Sequence, residues 1–289
     1  LHIEDQIHSF HETEAALSIV RAARCPVVVT LHEFHTELAS ARITRELARR
    51  ASFVAASDRR TADRCSSAVG RSVDSIFWSP TNVLPSAASR ATPKRRGLVV
   101  TFGQINAIKS FAPLADALRA LRPRRPDLRW RLVGPFEPRS NPEHAQLSKD
   151  LGDDWIEFTG GFERLDDPAL LRALSEAEIM ALPFADGASP RRTSLQTAWA
   201  FGLPVVTTRP PSAEPKLLHE RNALLVRNEP RDWAEAIGRL LDEEALRARL
   251  SEGALDAARD FGWERLVAVH LACYEALLSR PCATREARM

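Results

Sequence analysis

A chain of 289 residues with a formal net charge of +2, 44% hydrophobic and 27% charged, has the composition of an ordinary globular protein and length for one large or two modest domains. Its apolar content excludes disorder as the main state. Its 40 basic against 38 acidic residues exclude a nucleic-acid binder that lives on bulk charge.

Short apolar runs alternate with amphipathic stretches, which predicts an α/β fold with mostly parallel strands. The chain opens in a strand-like or loop segment. Residues 12–24 read as a helix, 26–31 as a buried strand, 42–50 as a helix and 53–57 as a strand. Asp58 is placed to N-cap a helix running to about Cys65, and a short strand follows at 75–78. Residues 80–96, rich in Pro, Ser, Thr and Ala and closed by Lys94-Arg95-Arg96, read as a linker.

A second block then supplies strands at 98–102, 130–133, 155–158, 179–182, 204–207 and 223–226. Helices are expected at 111–121, 142–151, 168–175, 193–201 and 232–241, followed by 243–260 and 263–278. That alternation predicts a doubly wound sheet, with ligands beyond the carboxyl ends of its strands. The first block, with about three strands, reads as incomplete. The expected domains are 1–88, 89–262, and a C-terminal helix and tail at 263–289. About 80 residues upstream of Leu1 would complete the first block within normal domain size.

The cysteines Cys25, Cys65, Cys273 and Cys282 are scattered and read as thiols in a reducing compartment, not a disulfide framework. No run of about 18 apolar residues suggests a bilayer span, and no secretory signal is recognisable. A cytoplasmic location is therefore expected. Several familiar sites are absent: G-x-G-x-x-G, the P-loop, H-E-x-x-H, G-x-S-x-G and a metal-gripping Asp-x-Asp.

Two signals remain. In Val99-Val-Thr-Phe-Gly103-Gln104-Ile-Asn-Ala-Ile-Lys109-Ser110, a strand ends at Gly103 and a lysine stands just before a helix. The chain has 36 arginines and only four lysines. An ammonium at a helix N-terminus suits a diphosphate, although a solvated loop lysine is the plainer reading. In Asp186-Gly-Ala-Ser-Pro-Arg191-Arg192-Thr193-Ser194-Leu-Gln196-Thr197, two arginines precede a helix start. Guanidinium groups, hydroxyls and helix N–H groups there would converge on one anion; the plainer reading is an N-cap with two exposed arginines. If both segments face one sheet edge, they form a single polyanion pocket.

Through these segments, residues 97–280 resemble the C-terminal half of a GT-B fold glycosyltransferase of the retaining, family four type. Gly103-Gln104-Ile-Asn-Ala-Ile-Lys109-Ser110 resembles that family's Gly-Arg-Leu-x-x-x-Lys-Gly, with Gln104 at the arginine position. Phe158-Thr-Gly160-Gly161-Phe resembles its nucleobase loop. Gly202-Leu-Pro-Val-Val206, Pro211-Ser-Ala-Glu214 and Asn222-Ala-Leu-Leu-Val226 resemble further family segments, and residues 263–274 resemble the helix that crosses back to the first domain. Val28-Val-Thr-Leu-His32-Glu33 is a weaker match to the acceptor domain. The chain departs from the family at its glutamate pair, whose positions are held by Ser189 and Thr197; Gln196 is a substitute for the second.

The resemblance implies two Rossmann-like domains and a bacterial transferase moving a sugar from a nucleotide-diphosphate donor to a hydroxyl, with retention and with no metal or other cofactor. Lys109 and Arg192 would stabilise the leaving diphosphate and His32 would orient or deprotonate the acceptor, with His8 and His35 as substitutes. Gly103, Gln104, Lys109, Gly161, Arg191, Arg192, Thr193, Ser194, Thr197 and Glu214 would line the donor site. The acceptor is a sugar, a lipid-linked or another hydroxyl compound. The arginine-rich stretch 119–131 reads as a solvated connection or, more sharply, as a peripheral contact with the inner membrane face. The alternative is an inactive GT-B relative that binds nucleotide or sugar as a partner protein.

Overall fold

The structure is a computed structural model that describes residues 1–5, 14–35, 41–105, 109–135, 147 and 153–279. The chain divides into two units: Leu1–Ser79 with Gly262–Met289, and Pro80–Phe261. The break falls at Pro80, so the segment read as a linker belongs to the second unit.

The first unit carries four parallel strands in the order β1-β2-β3-β4, namely β1 His2–Asp5, β2 Val28–Leu31, β3 Phe53–Ala56 and β4 Ser75–Ile76. Around them lie α1 Ala15–Ala22, α2 Ala41–Arg50 and α3 Arg59–Val69. Alternation along β2 explains the layering. Val29 and Leu31 join a core with Leu17, Leu47 and Val54, while Val28 joins Ala55, Phe77, Cys273 and Leu277. The last two come from the C-terminal helix, which therefore packs in this unit. The β1 strand was legible only as a strand-like opening, because its four residues are too few to show a period. Asp58 caps α3 as expected, its carboxylate accepting from the Thr61 N–H at 2.6 Å.

The second unit holds a six-stranded parallel sheet in the order β10-β9-β8-β5-β6-β7. Its strands are β5 Leu98–Phe102, β6 Arg129–Val133, β7 Ile156–Phe158, β8 Ile179–Leu182, β9 Val205–Thr208 and β10 Leu224–Val226. Helices are α4 Ala87–Arg90, α5 Ala112–Leu121, α6 Pro168–Ser175, α7 Thr193–Ala200, α8 Pro230–Asp242 and α9 Glu244–Asp260; α10, Trp263–Leu278, returns to the first unit. The expected helix at 142–151 falls outside the described residues except Leu147. The small α4, capped by Ser86, was hidden by the linker-like composition around it. Trp130, Leu114, Leu118, Trp233 and Ile237 fill the core between β5, β6, α5 and α8. In this strand order the first half winds outward one way and the second half the other. The chain reverses between β5 and β8, which opens a crevice beyond their carboxyl ends.

Cys25, Cys65 and Cys273 form no disulfide, and burial pushes the Cys65 thiol up to about 11. Cys282 lies outside the described residues. No described helix is long and apolar enough to cross a membrane.

Candidate functional site

Both sequence signals lie at the β5/β8 crevice. The β5 strand ends at Phe102, and Gly103 follows with φ of 108°, a left-handed backbone that favours glycine. A Cβ there would stand 2.9 Å from the Lys109 Nζ and 3.5 Å from the Ser194 Cβ. Gly103 thus separates the ammonium from the first turn of α7. Gly134, at the end of β6, is needed for a second close approach: its Cβ would meet the Gly103 carbonyl oxygen at 2.2 Å.

Lys109 is buried and donates to the Phe102 carbonyl, and its backbone bridges to Phe184, just past the end of β8. Burial, and second the nearby Arg192 guanidinium, lower its pKa to about 7. The Arg192 guanidinium lies over the Phe184 ring at 4.9 Å and the Lys109 Nζ is 6.0 Å from the same ring. One guanidinium nitrogen of Arg192 also meets both carboxylate oxygens of Asp186, at 2.5 and 2.7 Å. The two cations therefore share one aromatic platform, and Asp186 positions one of them.

The start of α7 completes the arrangement. Asp58, Ser86 and Asp167 cap their helices with a side-chain acceptor, whereas α1, α5, α8, α9 and α10, like α7, begin without one. The N-cap of α7 is Arg192, which has no acceptor to offer. The first N–H groups of α7 and its positive dipole end are left to an outside anion. Thr193 is exposed there and Ser194 is buried beside Gly103.

The remaining donor-site candidates lie in loops along the same carboxyl edge. Gln104 is exposed; the Ile105 N–H donates to the Pro135 carbonyl, and a Cβ on Gly161 would touch Pro135 at 3.5 Å. Arg191 is half-buried just before Arg192, and half-buried Glu214 sits in the turn after β9. Thr197 is placed differently. It is fully buried, its hydroxyl donating to the Thr193 carbonyl at 2.8 Å and lying 2.7 Å from the Thr81 hydroxyl. Gln196, also buried, donates to the Pro190 carbonyl. Gln196 thereby braces the Ser-Pro-Arg-Arg loop, while Thr197 is tied within α7 and to Thr81. Phe184 and Asp186 carried no role in the sequence reading. Their one signal was adjacency to the arginine pair, which spacing alone cannot turn into a contact.

His32 belongs to the other unit. Its Nε2 lies 2.7 Å from Glu4 Oε2, while exposed His35 pairs with Glu33 at 3.3 Å. His8 is outside the described residues. The arginine-rich connection is largely committed within the unit. Arg119 pairs with Asp116, Arg122 stacks on Trp155, Arg125 pairs with Asp242, and Arg131 is buried between Glu157 and Glu176.

A six-stranded doubly wound sheet with cations and a helix N-terminus at its switch point defines a class, the α/β proteins that hold phosphorylated ligands at this edge. The sequence profile described as glycosyl transferases group 1 matches residues 96–243, half of the chain; the protein belongs to that family. A D-inositol 3-phosphate glycosyltransferase of Nocardioides sp. is 32% identical over 204 residues, covering 66% of this chain and 44% of that protein. One of the same name from Salinispora tropica is 34% identical over 191 residues, covering 63% and 39%. The chain thus spans less than half the length of these relatives. Among solved structures, a glycosyltransferase from Rickettsia africae superimposes with a TM-score of 0.75 at 14% identity, covering 96% of this chain and 77% of that one. Anabaena HepE in complex with UDP-glucose gives 0.71 at 21% identity, covering 96% and 78%. These likenesses show the GT-B type of fold, in agreement with the two parallel α/β sheets.

Proposed function

We propose that this chain transfers a sugar from a nucleotide-diphosphate donor to an acceptor hydroxyl, with retention and without a metal at the donor site. The observation that carries the reading is the placement of the Lys109 ammonium and the uncapped start of α7 on either side of Gly103. The leaving diphosphate would sit over Gly103, with its growing charge met by Lys109, Arg192 and the N–H groups of Thr193 and Ser194. Such preorganised groups lower a barrier because they need no reorientation as charge develops. The sugar ring and nucleobase would extend along the loops carrying Gln104, Gly161 and Glu214. His32, held by Glu4, would orient or deprotonate the acceptor, which is a sugar, a lipid-linked or another hydroxyl compound.

The test is a panel of UDP-, GDP- and ADP-sugars assayed for nucleotide release with and without acceptor sugars. Turnover with one donor supports the reading. If none is turned over and none of the free diphosphates gives heat on titration, the reading fails. A second reading, a nucleotide-binding relative without activity, is favoured by one observation: Thr197, at the position of the family's second glutamate, has its hydroxyl engaged inside the unit. It predicts diphosphate binding with no turnover of any donor.

A further inference from the structure

On the face of the four-stranded sheet covered by α10, three side chains converge that donor binding does not use. His2 and Glu4 stand two residues apart on β1, so they share a face. His270 comes from α10. The ligand atoms of these three lie within 4.8 Å of one another. We propose that His2, Glu4 and His270 bind a divalent transition-metal ion of the zinc class, tying β1 to α10.

Two imidazoles and one carboxylate form a zinc donor set. Each is held from behind, as metal ligands are. The His270 Nδ1 lies 2.9 Å from the Leu266 carbonyl; a carbonyl only accepts, so Nδ1 carries the proton and the Nε2 lone pair is left for a metal. His270 is also packed on Phe77, with ring centroids 4.3 Å apart. The His2 Nδ1 lies 2.6 Å from the Tyr274 hydroxyl, leaving Nε2 on the side of Glu4 Oε1, 3.2 Å away. The other Glu4 oxygen is held by His32.

The Glu4 side chain is 50% exposed, which gives an ion a way in. Tetrahedral ligands about 2.1 Å from a zinc ion lie about 3.4 Å apart, so separations within 4.8 Å must close by up to about 1.4 Å through side-chain rotation. Three protein ligands leave one position for water; the Thr30 hydroxyl, 2.7 Å from His2 Nε2, gives up that nitrogen as the ion binds. The site joins elements distant in sequence, so the bound ion stabilises the folded first unit by mass action.

The experiment uses the full chain, stripped with a chelator and titrated with Zn²⁺ and Co²⁺. The expected result is one equivalent bound, a visible d–d band with Co²⁺, and a rise in melting temperature with Zn²⁺. Glu4→Gln and His270→Ala remove all three, and Tyr274→Phe weakens binding about 10–100-fold. Glu4→Gln is the control for folding, since its half-exposed side chain can change with the circular dichroism spectrum kept. No stoichiometric uptake by the parent chain, or uptake at parent affinity in either ligand variant, overturns the proposal. Sugar transfer is not a readout, so failure here leaves the donor-site reading intact.

Discussion

Lys109 combines two properties rarely found together: full burial and a second cation close by. Its pKa of about 7 follows from both. Unliganded, the side chain is charged below pH 7 and mostly neutral above it. A diphosphate beside it favours the charged form and raises the pKa, so binding takes up a proton above pH 7. Affinity for the nucleoside diphosphate should therefore fall by up to about tenfold per pH unit above 7. Calorimetric titration across pH 6–9 measures this; Lys109→Ala should bind more weakly and lose the part of the slope owed to this proton. The same substitution should lower turnover by a factor equivalent to about 2.7–4 kcal/mol, the usual effect of losing one preorganised contact to a developing charge. Gly103→Ala should weaken diphosphate binding, because its Cβ would displace the Lys109 Nζ, 2.9 Å away, and strain a backbone with φ of 108°. Parent affinity in that variant would contradict the geometry of the site.

At the scale of elements, Arg131 on β6 shows how a charge can be structural. Its side chain is 9% exposed, donating to Glu157 at 2.7 Å, to Glu176 at 2.8 Å and to the Ala173 carbonyl at 3.1 Å. It links β6 to β7 and to the end of α6. Arg131→Ala removes a buried cation and its three donated bonds, while Glu157 keeps Arg95 and Glu176 keeps Arg172, and should cost about 1.5–3 kcal/mol in urea unfolding. Asp58→Ala removes the α3 cap and should cost about 1 kcal/mol in the same measurement. The α7 helix is the contrasting case: a start left uncapped, at a cost in local stability, where an anion can complete it.

For the whole molecule, the division into two units predicts that a ligand of the second leaves its own mark. Hydrogen exchange of the full chain with a nucleoside diphosphate should show new protection at residues 103–105 and 192–196. The strands of the first unit should be unchanged. Protection confined to the first unit would place the nucleotide elsewhere. Much of this architecture was legible. Alternating apolar runs and helical stretches identified the six strands of the second sheet, since buried parallel strands read as continuous Val, Ile and Leu segments. Lys109 and the Arg-Arg-Thr-Ser helix start stood out because their types and positions are chemically unusual. The short β1 and α4 did not, because four residues carry too little pattern to outweigh their surroundings.

Local sequence was enough to specify the α/β alternation, the capped start of α3 and the residues able to carry charge at a strand-to-helix turn. Such features depend on neighbours within a few positions, where propensity and periodicity act. Folding alone assigned partners: Asp186 and Phe184 to Arg192, Thr81 to Thr197, Glu157 and Glu176 to Arg131, and Tyr274 to His2. These contacts join residues up to 272 positions apart. They arise from strand order and helix packing, and no local pattern encodes which distant side chain will share a buried site.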